Sequence, residues 1–599
     1  MAAPDTTAGH EAPREPERSL PSYSEPPLRE KRRLHLDREE VAERDLKGTT
    51  FGRDACGLLI AVFLLTITLP ALVQFAAELR AGRGFPSFDF LRALPKWQKI
   101  HAARNPADFW NLAPQATDIR DFEKGMEKGS VISRWLLPPV QNVLTGALGA
   151  GNEQAYPGWG GWLFYRPDVE YAMGPPFLDP DQLARRSGNS KVRPDPIPAI
   201  LDFRDQLKAR GIELVLFPVP VKPVKEGEML SANVKPDSDL QNPSFSEFMA
   251  RMQKEGVPVF DPVFLYGYIF NHRPPASDHA PPPEAGMHYL ETDTHWRPES
   301  MEFAARRVGS FIDSNAKPNP SYTLTEKQVT SLGDIALMLK LPAGQTIYRP
   351  QTVTIHQVNV GNAPWRATPS ADVLLLGDSF SNIYSLEGMG WGESAGFAEH
   401  LSYNLGKPID AILRNSDGSF ATREILSREL ARGRDRLAGK KVVVWEFASR
   451  ELSAGNWKLL PMKLGQMPES RFFHPTPGGS YVLTGTVQTV SSVPLPGSVP
   501  YKDHILTVQL ADLTPVAEGV APAPPGKKSV GGMLQALVYL PSMRDNAWTP
   551  AARLRPGDQV TVRLRAWSDV AAQYEKINRS EPDDPALQLE EPVWGELER

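Results

Sequence analysis

The most apolar stretch of the chain is Ala55–Ala77, ACGLLIAVFLLTITLPALVQFAA, which carries no charged residue. Its length predicts a helix able to span a bilayer, and Pro70 is tolerable inside a membrane helix. Polar sequence precedes it: residues 1–54 are rich in Pro, Glu and Arg and read as a disordered tail, with KRRLHLDREEVAERDLK as a charge-balanced helix. A polar leader of that length predicts a signal anchor rather than a cleavable signal. Cations flank the span on both sides (Arg38, Arg44, Lys47 and Arg53 before it; Arg80, Arg83, Arg92 and Lys96 after it), so charge alone leaves orientation open. Residues 78–155 mix helical patterns with prolines and Trp97, Trp110 and Trp135, and read as a helical juxtamembrane segment.

From Tyr156 the patterning changes. Ile197–Arg210 has the apolar spacing of an amphipathic helix closed by Gly211, followed by an apolar strand at Ile212–Phe217. A helix is predicted over Arg297–Asp313, strands over Val373–Leu376, Ile409–Leu413 and Val442–Trp445, and a further helix over SFATREILSRELARG. Strands alternating with helices predict a three-layer α/β domain with a mostly parallel sheet over 156–466. Beyond residue 467, YVLTGTVQTV, DHILTVQLADL, MLQALVYL and DQVTVRLRAW are strand-like runs between Pro/Gly-rich loops. They predict a small all-β domain over 467–599, either an OB-like barrel or a sandwich.

Composition narrows the function classes. The chain has 599 residues, which implies two or three folded units. A formal net charge of −5 and the lack of a basic stripe argue against a nucleic-acid partner. The single cysteine, Cys56, lies in the apolar stretch, so the rest has neither a disulfide framework nor a thiolate zinc site. That usage suits an oxidising, extracytoplasmic compartment.

Two short stretches bear chemistry. In ADVLLLGDSFSN the apolar run Val373–Leu376 stops at Gly377-Asp378-Ser379, as when a buried strand delivers a serine onto a tight turn. In TDTHW, Asp293 and His295 are two residues apart, which in an extended segment puts both side chains on one side. Hydroxyl, imidazole and carboxylate are the groups that nucleophilic serine catalysis requires. Blander readings exist for each: Asp378 and Ser379 as helix caps, His295 as an interior histidine, or a metal site using His288, Asp293 and His295.

Together with Gly161-Trp162-Leu163-Phe164, ELVLFPVPVKP and VVVWEFASREL, these stretches make residues 156–455 resemble the alginate O-acetyltransferase family, the AlgJ/AlgX-type SGNH-like proteins. Their order, Asp-x-His before Ser, is the family's, whose sheet is similar to a permuted SGNH hydrolase. The resemblance implies a triad of Ser379 as nucleophile, His295 as general base and then acid, and Asp293 orienting the imidazole. It further implies acetylation of an exported polysaccharide, a multi-pass membrane O-acyltransferase as partner, no metal or nucleotide cofactor, and an inner-membrane anchor with the catalytic domain on the periplasmic side. Asn415, Gly418, Arg423 and Trp296 stand as expected oxyanion or substrate-binding residues, with turn or packing roles as the alternatives. Trp391 is a second possible stacking platform. Glu446 and Arg450 either line a sugar cleft or form a surface or interdomain ion pair. An acetylesterase and a non-catalytic glycan-binding protein remain as rivals, the latter served by Tyr501, Trp548 or Trp567 of the β domain.

Overall fold

The computed structural model describes residues 52–80, 130–188, 192–234, 240–260, 288–415, 418–466, 472–497, 499, 501–515, 535–582, 584 and 587–598. The expected tail, its charged helix and most of the juxtamembrane segment lie outside the described residues. The apolar stretch is one helix, Arg53–Arg80, with Pro70 inside it. Among the described residues it is the one helix long and apolar enough to cross a membrane, with a mean hydropathy of 2.5. The chain divides into two compact units, Met1–Val73 and Gln74–Arg599.

The α/β part of the second unit is built on four strands in parallel: β1 (Glu213–Val219), β4 (Val373–Gly377), β5 (Asp410–Leu413) and β6 (Val442–Ala448), in the order β1-β6-β4-β5. Period-2 alternation explains the layers. Val373 and Leu375 face one core together with Phe217, Val444 and helices Pro298–Ile312 and Phe397–Leu405. Leu374 and Leu376 face the other, with Leu214, Trp445 and helices Pro196–Lys208, Phe245–Lys254 and Ala421–Ala431. Both faces are covered, as the near-continuous apolar strands require. The β1 strand runs through Pro218, which pairs with Phe447; β1 has one full neighbour, and an outer strand can carry a proline.

A pair of strands was not anticipated. The ten-residue strands β2 (Tyr322–Ser331) and β3 (Gln351–Val360) form an antiparallel ribbon. β3 sends Val353, Ile355 and Val358 into the core, whereas β2 contributes only Tyr322 and, in part, Val329, its remaining residues being mostly exposed and polar, which hides it from hydrophobic patterning.

The C-terminal part closes as a barrel-like sheet, not a sandwich. Strands β7 (Ser480–Val490), β8 (His504–Pro515), β9 (Ala536–Arg544), β10 (Gln559–Arg565) and β11 (Val593–Leu597) pair in the ring β7-β8-β9-β11-β10-β7. Every pairing is antiparallel except β9–β11. Closure leaves no edge within the ring, and its interior is filled by Leu506, Val508, Val538, Leu540, Val562 and Leu564.

Candidate active site

The serine turn is fixed by a carboxylate on either side of the backbone. At Gly377 a Cβ would come within 2.6 Å of Ser381 Oγ and 2.9 Å of Leu413 Cδ2, so glycine permits the tight exit from β4. Asp378 is extended and caps the short helix Ser379–Asn382, its Oδ1 accepting from Phe380 N at 2.8 Å. Its Oδ2 accepts from Ala448 N at 2.8 Å, tying the turn to the end of β6. Glu446 Oε2 accepts from both Asp378 N (2.9 Å) and Ser381 Oγ (2.6 Å). Burial, with Asp378 nearby, pushes the Glu446 carboxyl well above the usual range. The capping reading is therefore correct for Asp378, and it is compatible with Ser379 projecting to a partner.

That partner is His295, whose Nε2 lies 2.8 Å from Ser379 Oγ. Its Nδ1 lies 2.7 Å from Asp293 Oδ1. The pair does not share an extended segment as the spacing suggested. Residues 291–295 bend, pinched by a bridge between Tyr289 and Trp296, and His295 N donates to Asp293 Oδ1 at 3.1 Å. An Asx-type turn brings the two side chains together. Asp293 Oδ2 accepts from Trp391 Nε1 (2.8 Å) and Asp334 N (2.9 Å). Burial would raise the Asp293 carboxyl, but His295, Trp391 and the Asp334 amide outweigh it and hold it at about 2. Burial lowers the His295 imidazolium, yet Asp293 and Asp334 more than offset this and its pKa is raised. Only 5% of Ser379 and 2% of His295 is exposed, so these interactions act away from bulk water.

Asp334 was missed. It sits opposite Asp293, accepting from Thr294 N (2.7 Å) and Thr294 Oγ1 (2.9 Å), with Oδ2 3.9 Å from His295 Nδ1. Burial and the Asp293 charge push its carboxyl up to about 7. Ligand atoms of Asp293, His295 and Asp334 fall within 4.8 Å of one another. The oxygens of both carboxylates are, however, engaged by N–H and O–H donors, a hydrogen-bonded arrangement. His288 is outside that group, and its amide donates to Glu226 Oε1.

Ser379, His295 and Asp334 line a cavity of about 350 Å³ with Tyr165, Arg414, Gly418 and Arg450. Gly418, at φ +81°, thus lies where a substrate-contacting residue was expected. Asn415 does not line the cavity: it is fully buried, its Oδ1 accepting from Asn382 Nδ2 (3.0 Å) and its carbonyl from Asn578 Nδ2 (2.6 Å). Two further expectations are corrected. Arg423 is buried between its helix and the sheet, its guanidinium 4.5 Å over the Trp445 ring and donating to the Lys458 carbonyl (3.1 Å), so it does not reach the cavity. Trp296 is fully buried among Phe217, Phe380 and Phe397, with Nε1 donating to the Phe380 carbonyl, and offers no ring face to a sugar. Trp391 is likewise enclosed and serves Asp293 instead. Arg450 forms its ion pair inside the cavity wall, with buried Asp168 at 3.0 Å, rather than at the surface.

Residues 156–449 match a family model described as the SGNH hydrolase-like domain of the acetyltransferase AlgX. A probable alginate O-acetylase AlgJ of Pseudomonas fluorescens is 28% identical over 263 residues, 42% of this chain and 60% of the relative. The alginate biosynthesis protein AlgX of Pseudomonas aeruginosa is 25% identical over 258 residues, 41% and 49% of the two chains. The match thus spans about half to three-fifths of these relatives' lengths. The solved O-acetyltransferase domain of Pseudomonas putida AlgJ aligns over 50% of this chain and 93% of its own, at 21% identity and a TM-score of 0.36. The AlgJ/AlgX-type resemblance borne by the motifs is shown across this domain.

Proposed function

We propose that this chain, with an AlgJ/AlgX-type SGNH hydrolase-like domain at 156–449, is an O-acetyltransferase that acetylates hydroxyls of an exported polysaccharide through Ser379. The observation that carries the reading is the continuous hydrogen-bonded line Ser379 Oγ–His295 Nε2 (2.8 Å) and His295 Nδ1–Asp293 Oδ1 (2.7 Å). Ser379 Oγ attacks the acetyl carbonyl of the donor while His295 takes its proton. The imidazolium, paired with the low-pKa Asp293, then protonates the departing oxygen, leaving an acetyl ester on Ser379. A sugar hydroxyl next gives its proton to His295 and its oxygen to the acetyl carbon, and the proton returns to Ser379 Oγ. Each step needs a donor for the oxyanion. The Ser379 amide is the first N–H of its helix, a position with no intrahelical acceptor, and serves as the oxyanion donor in this reading.

The reaction so written calls for no metal or nucleotide. It does require an acetyl donor, supplied in this reading by a multi-pass membrane acyltransferase beside the single Arg53–Arg80 span, with the catalytic part on the periplasmic side of the inner membrane. The test uses the full chain in detergent and its Ser379→Ala variant, incubated with an activated acetyl ester and followed by intact mass. A serine-dependent adduct that passes to an oligosaccharide faster than to water supports the transferase. Rapid release of acetate regardless of sugar points to an esterase, and identical behaviour of the two proteins rejects a serine nucleophile.

A further inference from the structure

One conspicuous residue of the PVPVKP stretch is left without a role by the reaction above. Lys222, just past β1, is completely buried, and no carboxylate among the described residues lies within ion-pair distance of its ammonium. Instead its Nζ donates to three backbone carbonyls: Leu163 (2.6 Å), Glu291 (2.8 Å) and Asp293 (3.0 Å). The rings of Trp162 and Phe164 lie 5.0 and 5.3 Å away. Three converging acceptors require three N–H donors, which only the charged amine offers. A buried cation is costly unless its protons are all used, so a simple space-filling role would be better served by methionine. The segments it joins are distant in sequence, and one of them is the bend that presents Asp293.

We propose that Lys222 is a positioning residue for the triad: its ammonium pins the Asp293 main chain so that the carboxylate meets His295. The proposal deepens the acyl-serine reading and rests on it. The ionisable groups that act on Lys222 are Asp293, Glu226, Asp334 and Asp168, all acidic. Lys222 is thus a buried cation whose charged neighbours are carboxylates beyond ion-pair distance. Burial nonetheless draws its pKa down to about 7, so below that pH all three carbonyl bonds are in place.

The full chain in detergent is treated with phenylmethanesulfonyl fluoride, which forms a bond from Ser379 Oγ to sulfur, releases fluoride and sends the hydroxyl proton to His295. Rates of adduct formation are measured from pH 5 to 9 for wild type, Lys222→Met, Asp293→Asn and the double variant. Lys222→Met is expected to react about tenfold or more slowly, with its acid limb displaced to lower pH because the carboxylate that raises the His295 pKa is held less well. In the Asp293→Asn background the same change should alter the rate by less than about twofold, since the group through which it acts is gone. A Lys222→Met profile that superimposes on wild type overturns the proposal, as does a loss that multiplies in full in the Asp293→Asn background. If Lys222→Met fails to fold, Lys222→Arg keeps the charge but not the three-carbonyl fit. Its rate should fall in the same sense, and wild-type rates would reject the assignment. A wild type that never reacts at Ser379 overturns the acyl-serine reading itself, and this role with it.

Discussion

Trp391 Nε1 donates to Asp293 Oδ2 at 2.8 Å across nearly a hundred residues of sequence. The indole helps hold a buried carboxylate in its ionised form. Trp391→Phe keeps an aromatic side chain but removes the donor, so the Asp293 pKa should rise from about 2. Stability should fall by about 1–3 kcal/mol and Ser379 reactivity by about tenfold. Thermal melting and the rate of Ser379 acylation check both; an unchanged rate would deny Asp293 its role.

Stability and reactivity should move in opposite directions with pH. His295 binds its proton more tightly in the fold than at the ordinary value of 6.5. Its pair with Asp293 therefore stabilises the fold fully below about pH 6.5 and loses that contribution as pH rises through the raised value. Base catalysis needs the neutral imidazole, so acylation of Ser379 should rise through the same window. Parallel melting and acylation profiles, with His295→Ala as the control for the stability part, make the comparison.

Asp334 contributes to the raised His295 value by its charge. Asp334→Asn removes that charge while leaving an acceptor for the Thr294 amide. The acid limb of Ser379 acylation should then shift downward by about half a pH unit or more, about 0.7 kcal/mol of differential stabilisation. A limb that stays in place would mean that Asp334 acts only on the backbone of Thr294.

Gly333 has φ +88° and ψ 153°, and a Cβ there would meet Thr292 O at 2.4 Å and Asp293 N at 2.9 Å. Gly333→Ala is expected to cost about 1–3 kcal/mol through backbone strain. Because the collision falls on the bend that carries Asp293, acylation should drop about 10- to 100-fold, more than the stability loss alone accounts for.

Arg423 gives the opposite expectation. Its Nε and Nη1 are buried without a partner among the described residues, and burial lowers its pKa to about 10. Arg423→Met replaces a poorly satisfied buried cation by an apolar chain of similar length, so the melting temperature should hold or rise. KM for acceptor and donor should stay within about twofold, because the transition state never touches this residue. A large rise in KM would restore Arg423 to the substrate site.

What could be read in the sequence was local. The exit of Val373–Leu376 into Ser379 and the Asp293–His295 spacing are each confined to a dozen residues or fewer, and both arrive at the same cavity. Asp334 and Trp391 reach Asp293 from 41 and 98 positions away, and neither has a neighbouring residue to advertise it. Arg423 was misassigned for its closeness to a motif, although the spacing Arg423, Leu426, Leu430 puts it on the buried stripe of its helix. Trp296 follows His295 directly, and in the bend the two rings diverge, one to the cavity and the other to the core. The polar outer face of Tyr322–Ser331 left the β2–β3 ribbon without a hydrophobic signature.

The barrel is stitched to the neighbourhood of the serine turn by short polar bonds. Asn578 Nδ2 donates to the Asn415 carbonyl at 2.6 Å, Lys576 Nζ contacts Glu399 at 2.9 Å, and Arg414 Nη2 donates to the Arg579 carbonyl at 2.6 Å. Asn415 in turn holds Asn382, one turn beyond Ser379. The two parts are therefore poor candidates for independent inheritance or for exchange in chimaeras. A barrel borrowed from elsewhere would have to bring its own asparagine, lysine and carbonyl to the same places, or unsettle the nucleophile from behind.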